Sequence, residues 1–308
     1  MGKYLHLYST EQAFEADYNG AAYLEPWVSL TLDVDRVDYN KGPVPPPDPS
    51  TYPFTIEALG SGTVTFNINN PNILSATSFK KNDGEWTTFT TSNKNISVEN
   101  GDEIQFKSTH KNYGFAEGAS VFTSTAQFNV KGNIMSMGEG DNFEGAETIT
   151  AVNLYQIFFK GQTNLISAEN LVLPATGLSQ NCYGEMFSGC TSLTTAPELP
   201  ATTLTDKCYY MMFYGCTSLT TAPELPAQTM VTDCYKGMFE YCSSLNYVKC
   251  LATNPEQSSG SVAIFTDAWV LGVSSSGTFV RPASSASAWA TVTAVGSGIP
   301  SGWTVQNA

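Results

Sequence analysis

A repeat in the second half of the chain is the sequence feature that most restricts its fold. One pattern, Cys-Tyr-x-x-Met-Phe-x-x-Cys-x-Ser-Leu, begins at Cys182 and begins again at Cys208 and Cys234, so its period is 26 residues. Repeats of this length form solenoids, in which each unit buries its apolar side only against its neighbours. A degraded copy precedes the three full copies. The sequence therefore predicts a short solenoid over residues 149–250.

The repeat resembles a known family. After each of the first two copies the chain continues with Thr-x-Ala-Pro-Glu-Leu-Pro-Ala, at 194–201 and at 220–227. Together the two patterns resemble the BspA-like leucine-rich repeats of surface proteins from gut and oral anaerobes. The resemblance implies a leucine-rich-repeat fold in which the first cysteine of each unit replaces an aliphatic core residue. It also implies three ladders of core side chains: Cys182, Cys208 and Cys234; Cys190, Cys216 and Cys242; and Phe187, Phe213 and Phe239.

Three interpretations of the cysteines remain open at this stage. Buried thiols are one, because free cysteine packs as a small apolar side chain and synthesis in a reducing cytoplasm keeps it reduced. Disulfides are another, because stacked units place like cysteines about 5 Å apart, although ladders of three do not pair completely. Zinc is the third, but the sequence has no Cys-x-x-Cys pair. We expect no metal site.

Residues 1–42, rich in Tyr, Glu and Asp, predict a compact N-terminal anchor or docking module. Five prolines between positions 43 and 49 favour an extended polyproline conformation, so residues 43–50 are predicted to be a semi-rigid linker. The opening segment, residues 4–41, resembles an N-terminal module of structural proteins of phages that infect such bacteria.

Residues 51–148 predict an antiparallel β-sandwich. Val64, Phe66 and Ile68 alternate with polar residues, as the buried face of a strand requires. Two turn sequences predict hairpins, because Asn, Asp and Gly tolerate a positive φ: Asn82-Asp83-Gly84 and Asn100-Gly101.

Residues 251–308 are rich in Ser, Gly and Ala and contain two predicted strands, at 277–280 and 302–305. We expect them to form a C-terminal β cap that closes the open end of the solenoid. The predicted fold class is therefore mainly β, with an anchor module, a sandwich, a solenoid and a cap.

The charge balance narrows the choice of partners. The chain has 14 Lys and Arg against 28 Asp and Glu, a formal net charge of -14. Such a surface repels polyanions, so we expect neither nucleic acid nor an anionic membrane as a partner. The sequence has no run of 18 apolar residues and no apolar stretch typical of a secretory signal, which predicts synthesis in the cytoplasm.

Catalysis finds little support in the sequence. His6 and His110 are its two histidines, and neither lies in a metalloprotease or nucleophile-elbow motif. Asp33, Asp35 and Asp38 form either a calcium cluster or a solvated strand edge, and their spacing lacks the glycine and the distant glutamate of an EF-hand loop. We expect no enzyme activity and no cofactor, and a carbohydrate-active enzyme is the weakest alternative.

Aromatic side chains near predicted turns are the best candidates for a binding surface, because rings stack on sugars and fill pockets of protein partners. They are Trp86, Tyr113 and Phe115 in the sandwich and Tyr209, Tyr210 and Tyr214 on the solenoid. The alternative interpretation is that most of them are core or subunit-contact residues.

These observations predict a non-enzymatic phage virion protein, a fibre or decoration of head or tail. Residues 1–42 would bind other virion proteins, and the repeats would present a surface to a bacterial protein or glycan. Virion proteins of this type are usually homo-oligomers, and we expect a trimer. The alternative is a bacterial cell-surface adhesin of the BspA-like type.

Overall fold

The computed structural model describes residues 47–113, 120–255, 265–290 and 296–308. The chain divides into two compact units, Met1–Pro47 and Asp48–Ala308. The predicted anchor module at residues 1–42, with Asp33, Asp35, Asp38 and His6, lies outside the described residues, as does Phe115.

The described residues contain more strand than helix, and the prediction of a mainly β protein is confirmed. The strands are β1 Thr55–Ala58, β2 Gly62–Phe66, β3 Thr77–Lys81, β4 Thr87–Thr88, β5 Asn95–Val98, β6 Glu103–Ser108, β7 Phe122–Ser124, β8 Phe128–Asn133, β9 Leu165–Val172, β10 Tyr247–Lys249, β11 Thr278–Arg281 and β12 Thr304–Asn307. The helices are short: α1 Pro71–Ser75, α2 Ser136–Glu139, α3 Ala286–Ala290, and 3₁₀ turns at Pro49–Thr51, Gly140–Asn142 and Ala283–Ser285. None of the helices in the described ranges is long and apolar enough to cross a membrane.

Two sheets form the first part of the unit Asp48–Ala308. We call residues 48–148 the two-sheet region. One has the strand order β4-β3-β6-β1-β8-β9 and the other β5-β2-β7. Aromatic rings from both sheets meet in one core: Phe122 on β7 lies 4.7 Å from Phe106 on β6 and 5.3 Å from Phe66 on β2, between ring centroids. The buried face predicted for Val64, Phe66 and Ile68 is confirmed, since none of the three is more than 3% exposed.

One of the two predicted hairpins is confirmed and the other is wrong. The turn at 82–84 joins β3 and β4, which pair antiparallel. The turn at 100–101 instead carries the chain from one sheet to the other, because β5 pairs with β2 whereas β6 pairs with β1 and β3. Gly101, with φ of 87°, donates its N–H to the carbonyl of Ala58, so the turn residue was identified correctly although its strands do not pair.

Strand β9 connects the two-sheet region to the repeats. It pairs in parallel with β8, from Phe128 opposite Leu165 to Asn133 opposite Val172. The first strand of the predicted segment 149–250 therefore completes a sheet of the predicted segment 51–148, and the two share one core.

The repeats stack on one another through the backbone on both sides of β9, and we call residues 149–308 the repeat stack. Each unit contains a turn segment, at 153–162, 181–190, 207–216 and 233–242. Within 181–190, the N–H groups of Tyr183, Glu185 and Phe187 donate to carbonyls of the next unit, at distances of 2.7–3.0 Å, and the alternate N–H groups close turns within the segment. Because the N–H groups alternate between these two kinds of hydrogen bond, the backbone of the buried segment is paired although it forms neither a helix nor a regular strand.

A period of four residues underlies each turn segment. Two consecutive residues point inward, and the next two range from buried to exposed among the units; the second of these has a left-handed φ. In 181–190 the inward pairs are Cys182-Tyr183 and Met186-Phe187, and left-handed residues stand at Asn181, Glu185 and Gly189.

The inward residues form ladders along the stack. The rings of Tyr155, Tyr183, Tyr209 and Tyr235 follow one another at 5.6, 5.8 and 6.0 Å. Those of Phe159, Phe187, Phe213 and Phe239 follow at 5.5, 5.4 and 5.8 Å. The degraded copy therefore occupies the same positions as the full copies.

The stacking continues past the last recognisable repeat. The N–H of Phe239 donates to the carbonyl of Trp269, and that of Gly237 donates to Asp267. The strands predicted at 277–280 and 302–305 are present as β11 and β12, which extend a parallel sheet from β10. The sequence pattern ends near residue 250, but the backbone hydrogen bonding between units does not.

Candidate functional site

The residues between the inward pairs lie on one side of the stack, which we call the turn face, and they are more exposed in the last two turn segments than in the first two. In unit 207–216 they include Tyr210, Met211 and Tyr214, and in unit 233–242 they include Glu240 and Tyr241. The corresponding positions of the first full copy hold smaller or charged residues, from Gly184-Glu185 to Ser188-Gly189. Aromatic side chains thus accumulate on two adjacent units of the turn face.

Four residues form what we call the tyrosine patch: Tyr210, Met211, Tyr214 and Tyr241. Tyr241 is 48% exposed and the other three are partly exposed. The rings of Tyr214 and Tyr241 lie 5.5 Å apart at an angle of 88°, so the edge of one meets the face of the other. This arrangement is favourable for aromatic pairs and leaves an open corner between two rings.

Tyr241 stands where the repeat has glycine. Gly189 and Gly215 occupy this position in the two preceding units, with φ of 75° and 68°, and Tyr241 keeps the left-handed conformation with φ of 61°. A bulky side chain in this conformation costs about 1 kcal/mol or more. Its ring lies over Gly272 of the next unit, where an added Cβ would be 2.8 Å from the Tyr241 Cδ1 atom. A residue with a strained backbone thus carries an exposed ring at this position.

Charged groups surround the patch. Lys236 forms an ion pair with Asp267 at 3.0 Å, and Lys160 forms one with Glu185. Burial and the nearby Asp267 carboxylate raise the pKa of Glu240, against the opposing effect of a hydrogen bond from Tyr241. Burial, Glu240 and Tyr241 raise the pKa of the Tyr214 hydroxyl. The acidic groups of Glu240 and Asp267 therefore lie beside the two rings.

The structure places the other predicted binding residues elsewhere. The expectation of an exposed ring is wrong for Tyr209, which is 1% exposed and stacked in the tyrosine ladder. It is also wrong for Tyr113, which is 4% exposed and donates its hydroxyl to the carbonyl of Met137 at 3.0 Å. Both rings gain more from the apolar core than they would from the surface.

Trp86 is partly exposed, but lysine side chains cover its ring. The Nζ atom of Lys107 lies 4.3 Å from the ring centroid and that of Lys80 lies 5.7 Å away. These cation–π contacts stabilise the β3–β4 hairpin and leave less of the ring for a ligand. Of the predicted residues, Tyr210 and Tyr214 remain on the candidate site, and Tyr241 is added to them.

The cysteine and phenylalanine ladders lie in the core. All nine predicted ladder residues are 0% exposed, and all seven cysteines of the protein are free thiols rather than disulfides. The thiols of Cys190, Cys216 and Cys242 donate to phenylalanine carbonyls of the preceding unit at 3.0, 3.2 and 3.0 Å. Burial raises the pKa of Cys182, Cys190, Cys242 and Cys250 to about 12. These groups are packing and hydrogen-bonding elements with little thiolate at neutral pH.

Lys131 and His110 are two further titratable residues with shifted pKa values in the described ranges. Lys131 lies between two carboxylates, 2.7 Å from Glu103 and 3.3 Å from Glu57. Burial lowers the pKa of Lys131, but the two ion pairs outweigh it and raise the value overall. Burial lowers the pKa of His110, whose ring meets the edge of Tyr113. Among the described residues, no three His, Cys, Asp or Glu side chains converge as metal ligands.

Comparison of the chain with protein-family models, curated proteins and solved structures finds no match.

Proposed function

We propose that the repeat stack is a leucine-rich-repeat solenoid of the BspA-like type. Three features support this assignment: the 26-residue period, the backbone hydrogen bonds between successive units, and the parallel ladders of Tyr and Phe rings. Solenoids present a broad, continuous surface to a partner, and the turn face is such a surface.

We further propose that the protein is a non-enzymatic virion component, a fibre or decoration, that binds a bacterial surface protein or glycan through the turn face. The resemblance of residues 4–41 to phage structural proteins supports the virion location. The observation that carries the binding role is Tyr241, a strained and exposed ring where the repeat has glycine. Tyr241 keeps a left-handed φ where the two preceding units have glycine, and residues held in a strained conformation cluster at functional positions.

The Tyr241→Gly variant tests the binding role. It restores the glycine of the preceding units, so relief of φ strain offsets the lost contacts and the added freedom of the unfolded chain. We expect unfolding free energy within about 1 kcal/mol of the parent and loss of binding to bacterial cells, measured by flow cytometry with labelled protein. Undiminished cell binding by this variant would remove the turn face from the proposal.

A second experiment tests the location. Gold-labelled antibody against residues 150–308 should mark a fixed site on phage particles in electron micrographs. Label on uninfected bacteria alone would instead support the alternative function, a BspA-like cell-surface adhesin, which the resemblance of the repeats also favours. Sedimentation equilibrium adds a check, because we expect a trimer for the virion protein and a monomer for the adhesin.

A further inference from the structure

We propose that the tyrosine patch binds the guanidinium group of an arginine in a basic segment of a protein partner. This inference rests on the proposed binding role of the turn face and specifies its chemistry. It follows from three observations: the exposed edge-to-face rings of Tyr214 and Tyr241, the Glu240 carboxylate beside them, which has no ion-pair partner among the described residues, and the excess negative charge of the chain.

Stacking of the units brings the two rings and the carboxylate together. The N–H of Gly215, next to Tyr214, donates to the carbonyl of Glu240 at 2.8 Å, so Glu240 directly follows Tyr214 along the stack. Tyr241 is the next residue in the chain, and its ring meets that of Tyr214 edge to face. One ring face and one carboxylate therefore border the same corner of the surface.

Glu240 differs from its charged neighbours in its partners. Asp267 pairs with Lys236 and Glu185 pairs with Lys160, whereas no Lys, Arg or His within the described ranges lies at ion-pair distance from Glu240. Its carboxylate is partly buried and sits near a second acid, which raises its pKa. An incoming cation relieves this unfavourable arrangement.

Arginine suits this corner better than lysine does. Its planar guanidinium stacks on a tyrosine ring and donates two parallel N–H groups to one carboxylate, whereas an ammonium group is compact and strongly hydrated. The net charge of -14 also attracts basic partners over a long range and speeds their association.

The test uses a fluorescein-labelled peptide of alternating glycine and arginine, titrated with the full-length protein and followed by fluorescence anisotropy. The matched peptide has citrulline, which keeps the shape of arginine but carries no charge. We expect the arginine peptide to bind at least about tenfold more tightly than the citrulline peptide, the scale of one charge-assisted contact. Equal affinities would overturn the inference.

Two substitutions locate the contact. Glu240→Gln should weaken binding of the arginine peptide about tenfold and leave the citrulline peptide unaffected. Glu198→Gln removes the same charge from an exposed residue outside the turn segments and should leave both affinities unchanged. Equal losses in the two variants would mean that net charge alone attracts the peptide, and the inference would then be wrong.

The failure of this inference and that of the proposed function are distinguishable. If Tyr241→Gly abolishes cell binding but the arginine peptide does not bind, the turn face keeps its role and the arginine chemistry is wrong. If a chitosan trimer binds in a Tyr241-dependent manner and the peptide does not, the patch takes an amino sugar and the inference also fails. Peptide binding that depends on Glu240, without label on particles or cells, supports the inference and contradicts the proposed function.

Discussion

The two-sheet region and the repeat stack both bury aromatic rings, but they arrange them differently. In the stack, Phe187 and Phe213 lie at an angle of 2°, and Phe213 and Phe239 at 4°. In the two-sheet region, Phe122 meets Phe66 at 37° and Phe106 at 59°. Successive units of the stack are related by translation, so each ladder ring has the same surroundings. In the two-sheet region the rings come from strands of different sheets, so each ring has different surroundings.

The two regions are therefore stabilised in different ways. A ring in the stack is buried by the units before and after it, so stability is close to a sum of nearest-neighbour interfaces. A ring in the two-sheet region touches strands that are distant in sequence, so its removal affects several strands at once. Strand β9 links the two regions, because it belongs to a repeat and also to the larger sheet.

The largest expected effect comes from removing one ring in each region. Phe213→Ala and Phe106→Ala each delete a side chain that is 0% exposed, and each should lower the unfolding free energy by about 3–5 kcal/mol. We expect hydrogen exchange, read by mass spectrometry, to accelerate in residues 181–242 for Phe213→Ala and throughout the two-sheet region for Phe106→Ala.

Each variant serves as the control for the other in this comparison. The same pattern of lost protection in both would mean that the two regions open as one cooperative unit. The contrast between local and distributed stabilisation would then not hold.

The thiols provide a second contrast, since all seven cysteines lie between residues 182 and 250 of the stack. A rise of pKa from 9.0 to about 12 for Cys182 lowers its thiolate fraction at neutral pH by a factor of about 1000. We expect native labelling by iodoacetamide to be slower than in guanidinium by at least about this factor, and faster in Phe213→Ala than in Phe106→Ala.

The count of labelled thiols is itself a check. In guanidinium without reductant, intact-mass measurement should find all seven cysteines modified. A smaller number would indicate disulfides between units, the alternative that the sequence left open.

The sequence predicted the stack better than the two-sheet region because the stack repeats its own pattern. Period, ladder residues and turn glycines are all visible when one copy is placed under another. The Asn100-Gly101 turn had no such comparison. Its residues indicate a tight turn, but whether the flanking strands pair with each other depends on β1, β2 and β3, which lie far away in sequence.

The candidate site was predictable in part, and the missed residue carried a signal. Tyr210 and Tyr214 stand out as aromatic substitutions among the copies, whereas Tyr209 is the tyrosine of the repeat pattern itself, equivalent to Tyr183 and Tyr235, and is buried. Burial depends on the four-residue period of the turn segment, which is too short to be recognised as either helix or strand. Tyr241 differs from both earlier copies by replacing glycine, and this departure identifies it without a structure.

We expect acidification to change the stability of the two regions differently, by less than the Phe→Ala substitutions do. Hydrogen bonds from Lys81, Asn82 and the Glu99 backbone lower the pKa of Asp102 from 3.8 to about 2, so the carboxylate stabilises the turn at 82–84 above pH 3.8. This contribution is lost as the pH falls from 3.8 towards 2, because the unfolded chain takes up the proton first. In Asp102→Asn, we expect the unfolding free energy to depend less on pH in this interval.

Urea unfolding at several pH values, followed by tryptophan fluorescence, measures this dependence. Glu224→Gln is the control, since it removes an exposed carboxylate that pairs with Lys249 in the stack. An acid dependence of the Asp102→Asn protein equal to that of the parent would show that the Asp102 hydrogen bonds do not stabilise the turn.

The smallest expected effect is a gain in stability. It follows from comparing equivalent positions of successive units. Asn153 and Asn181 are left-handed residues at equivalent positions, and the Nδ2 atom of Asn181 donates to the Oδ1 atom of Asn153 at 2.9 Å. The Oδ1 atom of Asn181 is buried and has no partner. The next unit has Lys207 here, exposed and with φ of 59°.

Lys207→Asn should therefore extend the ladder by one step. Asparagine tolerates a left-handed φ better than lysine does, and its amide can donate to the orphaned oxygen of Asn181. We expect the unfolding free energy to rise by about 1 kcal/mol, and native thiol labelling to slow because the gain lies in the stack. Lys207→Gln removes the same charge, but glutamine lacks asparagine's tolerance of a left-handed φ and its side chain is longer. We therefore expect no increase in unfolding free energy for this variant. If Lys207→Gln gave an equal gain, the effect would come from removal of the charge. The asparagine ladder would then not stabilise the stack at this position.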